Sequence, residues 1–203
     1  MSGNMHDSGL SAPRAPVLQE LLTLLSRTSF HASPTPTYPL ACGMMSRFYI
    51  DCKKGLSHPR VRELAGQALF DRVQGVQIDA VGGLLIGAYP VAIALSDAAW
   101  RKRIDLSVFV IRKEPKGHGL RKYVEGDVQQ GARVVIVDDV ITSGTSTIQA
   151  IEKSRDAGLV VVKALALVDR EEAGGREAIE QLGVPLESLF TLSDFISIAP
   201  SEV

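Results

Sequence analysis

Two adjacent carboxylates, Asp138 and Asp139, follow the run Val134-Val135-Ile136-Val137 and precede Val140-Ile141-Thr142-Ser143-Gly144-Thr145-Ser146. Four β-branched residues in a row read as a buried strand, with the acid pair where the strand stops. The Thr142–Ser146 stretch is small, rich in hydroxyls and placed to feed a helix from about Ser146 to Asp156. Free backbone N–H groups and the helix dipole make such a helix start an anion site. Hydroxyls of Thr142, Thr145 and Ser146 can donate further bonds, and Gly144 lets the backbone approach an anion closely. An acid pair beside an anion site suits a ligand that carries a phosphate next to hydroxyls or a metal. A ribose 5-phosphate meets that description, with its 2′- and 3′-hydroxyls on the carboxylates and its phosphate on the turn.

Two further groups carry charge in a usable pattern. The stretch Arg112-Lys113-Glu114-Pro115-Lys116-Gly117-His118-Gly119-Leu120-Arg121-Lys122 sets five basic side chains against one acidic, +4 with His118 neutral, in a chain whose formal charge is −1. Its glycines predict a mobile basic loop that can close over a diphosphate and exclude water. Asp169-Arg170 follows the run Leu159–Val168. There is no GxxxxGK[ST] phosphate loop, and Gly117-His118-Gly119 lacks the third glycine of a dinucleotide fingerprint.

The elements that must position these groups are read from periodicity. Val17–Arg27 has helical apolar spacing, and His31–Pro39 breaks it. Phe48–Ile50 is a short strand. Ser57 is a plausible cap, Pro59 suits a first helical turn, and Val61, Leu64, Ala65, Ala68, Leu69 and Val73 share one face before Gly75 ends the helix. Then Ile78–Val81, Leu106–Ile111, Arg133–Val137 and Leu159–Val168 read as strands, and Pro90–Trp100 and Arg176–Leu182 as helices. Such apolar strands suit a parallel sheet covered on both faces by helices, an α/β class in which ligands bind beyond the carboxyl ends of the strands. Arg112-Lys113, Asp138-Asp139 and Asp169-Arg170 all fall at such ends. Residues 1–16, polar and rich in Gly, Ser and Pro, read as a flexible tail, and residues 17–203 as one domain.

Composition narrows the classes. With 203 residues, 45% hydrophobic and 22% charged, the chain can bury a core and is neither disordered nor fibrous. A near-zero charge argues against general nucleic-acid binding. The uncharged stretch Ala80–Ser96 is interrupted by Gly82, Gly83, Gly87 and Pro90, which argues against a membrane span. Two cysteines, Cys42 and Cys52, form no metal-ligand pattern; they read as free thiols and, with the absence of a leader pattern, predict a cytoplasmic protein.

The segment Val134–Ser146 resembles the phosphoribosyl diphosphate (PRPP) motif of type I phosphoribosyltransferases, and Arg112-Lys113-Glu114-Pro115-Lys116-Gly117-His118-Gly119 resembles the catalytic loop of the orotate branch. Leu40–Asp51 looks like that family's substrate-contacting segment, with Ala41 where some members have Lys and Cys42 for the usual Ser. Ala80–Ala92 looks like its Gly-rich diphosphate loop, without the Lys some members carry. The resemblance implies a parallel sheet flanked by helices, a small N-terminal hood and a flexible catalytic loop. It implies transfer of a phosphoribosyl group from PRPP to orotate in pyrimidine biosynthesis. By residue, it implies Lys116, Asp138 and Asp139 as catalytic groups. PRPP would be bound by Arg112, Lys113, Lys116, His118 and the stretch Asp138, Asp139, Val140, Ile141, Thr142, Ser143, Gly144, Thr145 and Ser146. Orotate would contact Thr142 and Arg170, whose guanidinium suits a planar carboxylate because two N–H bonds can form together. It also implies a homodimer with shared active sites. With no His/Cys cluster to hold an ion, Mg²⁺ should arrive with PRPP rather than at a protein metal site.

Two other readings share the fold. A transferase for another base is disfavoured by the basic loop and Asp169-Arg170. A non-catalytic nucleotide-sensing regulator is disfavoured by the retained Lys116 and the nearly neutral charge.

Overall fold

The computed structural model describes residues 15–40, 43–114 and 123–199. The readings for the tail before residue 15, for Ala41 and Cys42, and for Lys116 and His118 lie outside the described residues. Helix α1 (Pro16–Ser29) starts on a proline, whose missing N–H is no loss in a first turn, and buries Leu21, Leu22 and Leu25. Four short strands follow: β1 (Phe30–Ala32), β2 (Tyr38–Pro39), β3 (Met45–Ser46) and β4 (Phe48–Ile50). β1 pairs with β4 and β2 with β3, both antiparallel, and this is the small N-terminal hood.

Helix α2 (Cys52–Leu56) is capped by Asp51, whose side chain accepts from the Lys53 N–H, and α3 (Pro59–Asp71) has His58 at its N-cap. Ser57 therefore does not open α3 as the sequence predicted. It closes α2, its hydroxyl donating to the Lys54 carbonyl. Nor does α3 run to Gly75; it stops at Asp71, and turns carry the chain on.

Then come β5 (Ala80–Leu84), α4 (Ala88–Arg101), β6 (Ser107–Ile111), β7 (Val124–Glu125), β8 (Arg133–Ile141), α5 (Thr145–Asp156), β9 (Val160–Asp169), α6 (Gly175–Glu180), β10 (Leu186–Thr191) and α7 (Leu192–Ile198). The main sheet has the order β10-β9-β8-β5-β6-β7; every pairing is parallel except that of the edge strand β7. β5 lies three residues later than Ile78–Val81 at its far end, because Gly82 and Gly83 continue it instead of turning. A Cβ at Gly82 would collide with the Phe109 carbonyl oxygen and one at Gly83 with that of Val137. These glycines let β5 sit tightly between its neighbours.

Both faces of the sheet are buried, and successive residues divide between them. Along β8, Val135 and Val137 join the core packed against α1, α3 and α4, while Val134 and Ile136 join the core packed against α5 and α6. That two-residue period continues into the acid pair.

Candidate active site

β8 does not stop at Val137. It runs through Asp138 and Asp139 to Ile141, with Asp138 opposite Ala166 and Ile141 opposite Asp169 in β9. The carboxylates thus lie within the last turnings of a strand, on opposite faces. Asp138 continues the face of Ile136 and meets α5: Thr147 Oγ1 donates to its Oδ2 at 2.9 Å, and the Asp139 N–H to its Oδ1 at 3.0 Å. Asp139 continues the face of Val137 and meets α2: Lys53 Nζ lies 3.4 Å from its Oδ2 and 3.1 Å from Asp51 Oδ1. Alternation along one strand gives two adjacent acids different surroundings.

Their electrostatics differ accordingly. Burial first, and the Asp139 charge second, push the Asp138 carboxyl up to about 7. Partial burial works against the Lys53 ammonium, but Asp139 and Asp51 outweigh it and hold its pKa above the usual lysine value. Cys52, beside Lys53, is fully buried, and burial pushes its thiol up. Over the pair sits Gly87, where a Cβ would collide with Asp139 Oδ1.

Beyond β8 the chain turns at Thr142–Gly144 into α5. Gly144 is the N-cap, with φ of 73°, a left-handed conformation that glycine adopts without a Cβ penalty. Among the described residues no side chain caps the helix, and its first turn lines the hollow formed by Asp138 and residues 140–146. Ser143 Oγ and Thr145 Oγ1 are 2.9 Å apart, with Thr145 and Ser146 exposed and Thr142 and Ser143 half-buried. This is the arrangement an anion needs: unpaired amides, hydroxyls and a positive dipole end.

Arg170 is brought alongside because its N–H donates to the Ile141 carbonyl, joining the ends of β9 and β8. Its guanidinium is buried, 3% exposed, and already engaged. Nε and Nη2 reach Glu172 Oε2 at 2.8 and 2.7 Å, and Nη2 also reaches the Phe48 carbonyl at 2.9 Å and Ser46 Oγ at 3.2 Å. Among the described residues Nη1 has no acceptor, whereas the Nε/Nη2 edge, which could pair with a planar carboxylate, is taken by Glu172. Asp169 is 3% exposed and held by Arg176 Nε at 2.9 Å, an anchor for the turn after β9.

Arg112 and Lys113 follow β6. Arg112 Nη1 pairs with Glu125 at 3.0 Å, and neither side chain forms an ion pair with Asp138 or Asp139 among the described residues. Lys153, late in α5, donates to the carbonyls of Arg112 at 3.1 Å and Lys113 at 2.7 Å and lies 4.3 Å from the Tyr123 ring centre. The helix whose first turn forms the anion site therefore also holds Arg112 and Lys113, and touches Tyr123 beyond the basic segment.

Lys53 escaped the sequence reading, whereas Ser46, within Leu40–Asp51, and Glu172, just after Asp169-Arg170, lay in segments read for substrate contact but had no role of their own. Lys53 lies 86 residues from its partner and outside the 80–92 loop; its one local signal is Asp51, an N-cap for a short helix. A separate cavity of about 580 Å³ lies behind Tyr123 and Lys153, lined also by Gln129, Gln130 and Asp156, and assembles no acid pair.

The oxygen donors here would suit a hard cation such as Mg²⁺. Yet both Asp138 oxygens already accept hydrogen bonds and Asp139 is paired with Lys53. Among the described residues no cluster of three ligands forms. The residues do not fit a resident ion.

A parallel sheet with an acid pair and an uncapped, hydroxyl-rich helix start at its carboxyl edge defines a class, and residues 55–185 match the phosphoribosyl transferase domain. An orotate phosphoribosyltransferase of Aquifex aeolicus is 40% identical over 178 residues, 88% of this chain and 97% of that one. The Mycobacterium tuberculosis orotate phosphoribosyltransferase superposes with a TM-score of 0.77 at 33% identity as its Fe(III) dicitrate complex, over 89% of this chain and 99% of that one. Its PRPP complex superposes with a TM-score of 0.71 at 30% identity, over 90% and 93%. The chain belongs to the orotate phosphoribosyltransferase family.

Proposed function

We propose that the chain carries out the reaction for which its family is named, transfer of the 5-phosphoribosyl group of PRPP to orotate, giving orotidine 5′-monophosphate and diphosphate in pyrimidine biosynthesis. The observation that carries this reading is the juxtaposition, on β8 and the start of α5, of Asp138 and Asp139 with the uncapped Thr142–Ser146 turn. The 5′-phosphate sits on that turn, contacted by Val140, Ile141, Thr142, Ser143, Gly144, Thr145 and Ser146. The ribose hydroxyls lie over the acid pair. Breaking the anomeric C–O bond leaves positive charge on the ribose, which the carboxylates favour, and negative charge on the diphosphate. Arg112, Lys113, Lys116 and His118 meet that diphosphate. Orotate N1, once deprotonated, is an anionic nucleophile. Its carboxylate takes the open Nη1 of Arg170, and Thr142 lies on its ring side.

Mg²⁺ enters as the PRPP complex, held by diphosphate oxygens, in keeping with a donor set that leaves no resident site. The basic segment serves the neighbouring subunit of a two-fold dimer in the cytoplasm. Among the described residues no helix is long and apolar enough to cross a membrane. The test is orotate absorbance on mixing enzyme, PRPP and Mg²⁺. It should fall only with all three present, and full conversion in excess EDTA would overturn the metal requirement.

A further inference from the structure

The Arg170 guanidinium does not stand alone. It forms a closed ring of hydrogen bonds with Ser46 and Glu172: Arg170 Nη2 donates to Ser46 Oγ at 3.2 Å, Ser46 Oγ donates to Glu172 Oε1 at 3.2 Å, and Glu172 Oε2 accepts from Nε and Nη2 of Arg170. Ser46 is 5% exposed and belongs to β3 of the hood, whereas Arg170 and Glu172 belong to the turn after β9. The backbone aims Glu172 inward at some cost. Glu171 and Ala173, on either side of it, have φ of 56° and 59°, a region that non-glycine residues rarely occupy. Glu171 Oε2 in turn accepts from the Ser193 N–H and hydroxyl, at 3.3 and 2.6 Å, which pins the turn to α7.

We infer that Glu172, assisted by Ser46, is a positioning residue for orotate: it takes the Nε/Nη2 edge of Arg170 so that Nη1 alone is presented to the substrate carboxylate. This rests on the proposed role of Arg170. An arginine buried without a fixed acceptor turns about its long side chain and loses the geometry a planar carboxylate needs. Glu172 removes that freedom. Its charge also balances the guanidinium, so discrimination rests on the aim of Nη1 more than on raw attraction. Ser46 brings the hood into the same ring, which ties hood and sheet together where the pyrimidine lies.

Steady-state kinetics of four variants, each checked for folding by circular dichroism, test this. Glu172→Ala should raise the orotate KM on the order of tenfold while the PRPP KM stays within about twofold. Glu172→Gln keeps an acceptor for the Nε/Nη2 edge of Arg170 while losing the acceptor of the Ser46 hydroxyl, and should restore most of the wild-type orotate KM. Ser46→Ala should act in the same direction as Glu172→Ala but more weakly. Arg170→Ala should raise the orotate KM at least as far as Glu172→Ala. If Arg170→Ala weakens orotate and Glu172→Ala does not, the positioning role is wrong and the proposed function stands. If neither does, Arg170 does not read the carboxylate and both fall. Equal losses for orotate and PRPP, or no rescue by Gln, would make Glu172 a merely structural tether and overturn the inference.

Discussion

Asp138 combines a functional position with an energetic cost. Its carboxyl is pushed up to about 7 by burial and then by Asp139. An acid whose pKa is raised by folding stabilises the fold fully below its unfolded value, near 4, and loses that contribution as pH rises through the folded value. Asp138→Asn carries no charge at any pH, and Thr147 can turn its hydroxyl to accept from the amide. The variant should therefore melt above wild type at pH 8, by about 2–4 °C for each kcal/mol recovered. The gap should shrink as pH falls from 7 towards 4, while turnover drops. A gap that does not change with pH in thermal melts would mean the burial cost is misassigned. Lys53 acts on the same pair from the other face. Lys53→Met leaves Asp139 less compensated and disfavours ionised Asp138 further, so the acid limb of the kcat/KM profile for PRPP should move up by about half a pH unit or more. A limb that stays in place would separate Lys53 from the pair's ionisation.

The elements show why some of this was legible and some was not. The β-branched run, the acid pair and the TSGTS turn were readable because local chemistry fixes them. The end of β8 was misread because carboxylates look like a strand's exit to water; here Thr147, from the helix that follows, and Lys53, from a helix 86 residues away, satisfy them, and Val140-Ile141 carry the strand on. β10 and α7 were missed because Glu187 and Ser188 interrupt the apolar pattern of the edge strand. Yet Thr191 and Asp194 form a capping box at the start of α7, a signal present in the sequence. Gly82 and Gly83 lie beyond the Ile78–Val81 strand expected from the sequence, yet they are close-packing residues inside β5. Gly83→Ala would set a Cβ against the Val137 carbonyl and 2.6 Å from Ala88 Cβ. Overpacking of that kind should cost about 1–3 kcal/mol or more, measurable by urea denaturation. An unchanged midpoint would mean β5 has room the packing does not show.

For the whole molecule, the central sheet brings ends of β6, β8 and β9 to one edge, as three charged strand ends predicted, while the third dimension of each residue's surroundings came only from the fold. The proposed shared-site dimer has a direct test in Lys116→Ala and the double variant Asp138→Asn/Asp139→Asn. If these inactive proteins exchange subunits, activity should recover towards about a quarter of wild type, since half the dimers are mixed and each has one intact site. A mixture that stays inactive despite proven exchange would place the basic segment over its own subunit's site. The account rests above all on the acceptor base. The most direct measurement is product identity, by chromatography and mass, after incubating the enzyme with PRPP, Mg²⁺ and an equimolar mixture of orotate, uracil, adenine and hypoxanthine. Orotidine 5′-monophosphate should be the dominant product, with diphosphate in equal amount; a purine nucleotide or uridine 5′-monophosphate in its place, or no nucleotide at all, would contradict the account.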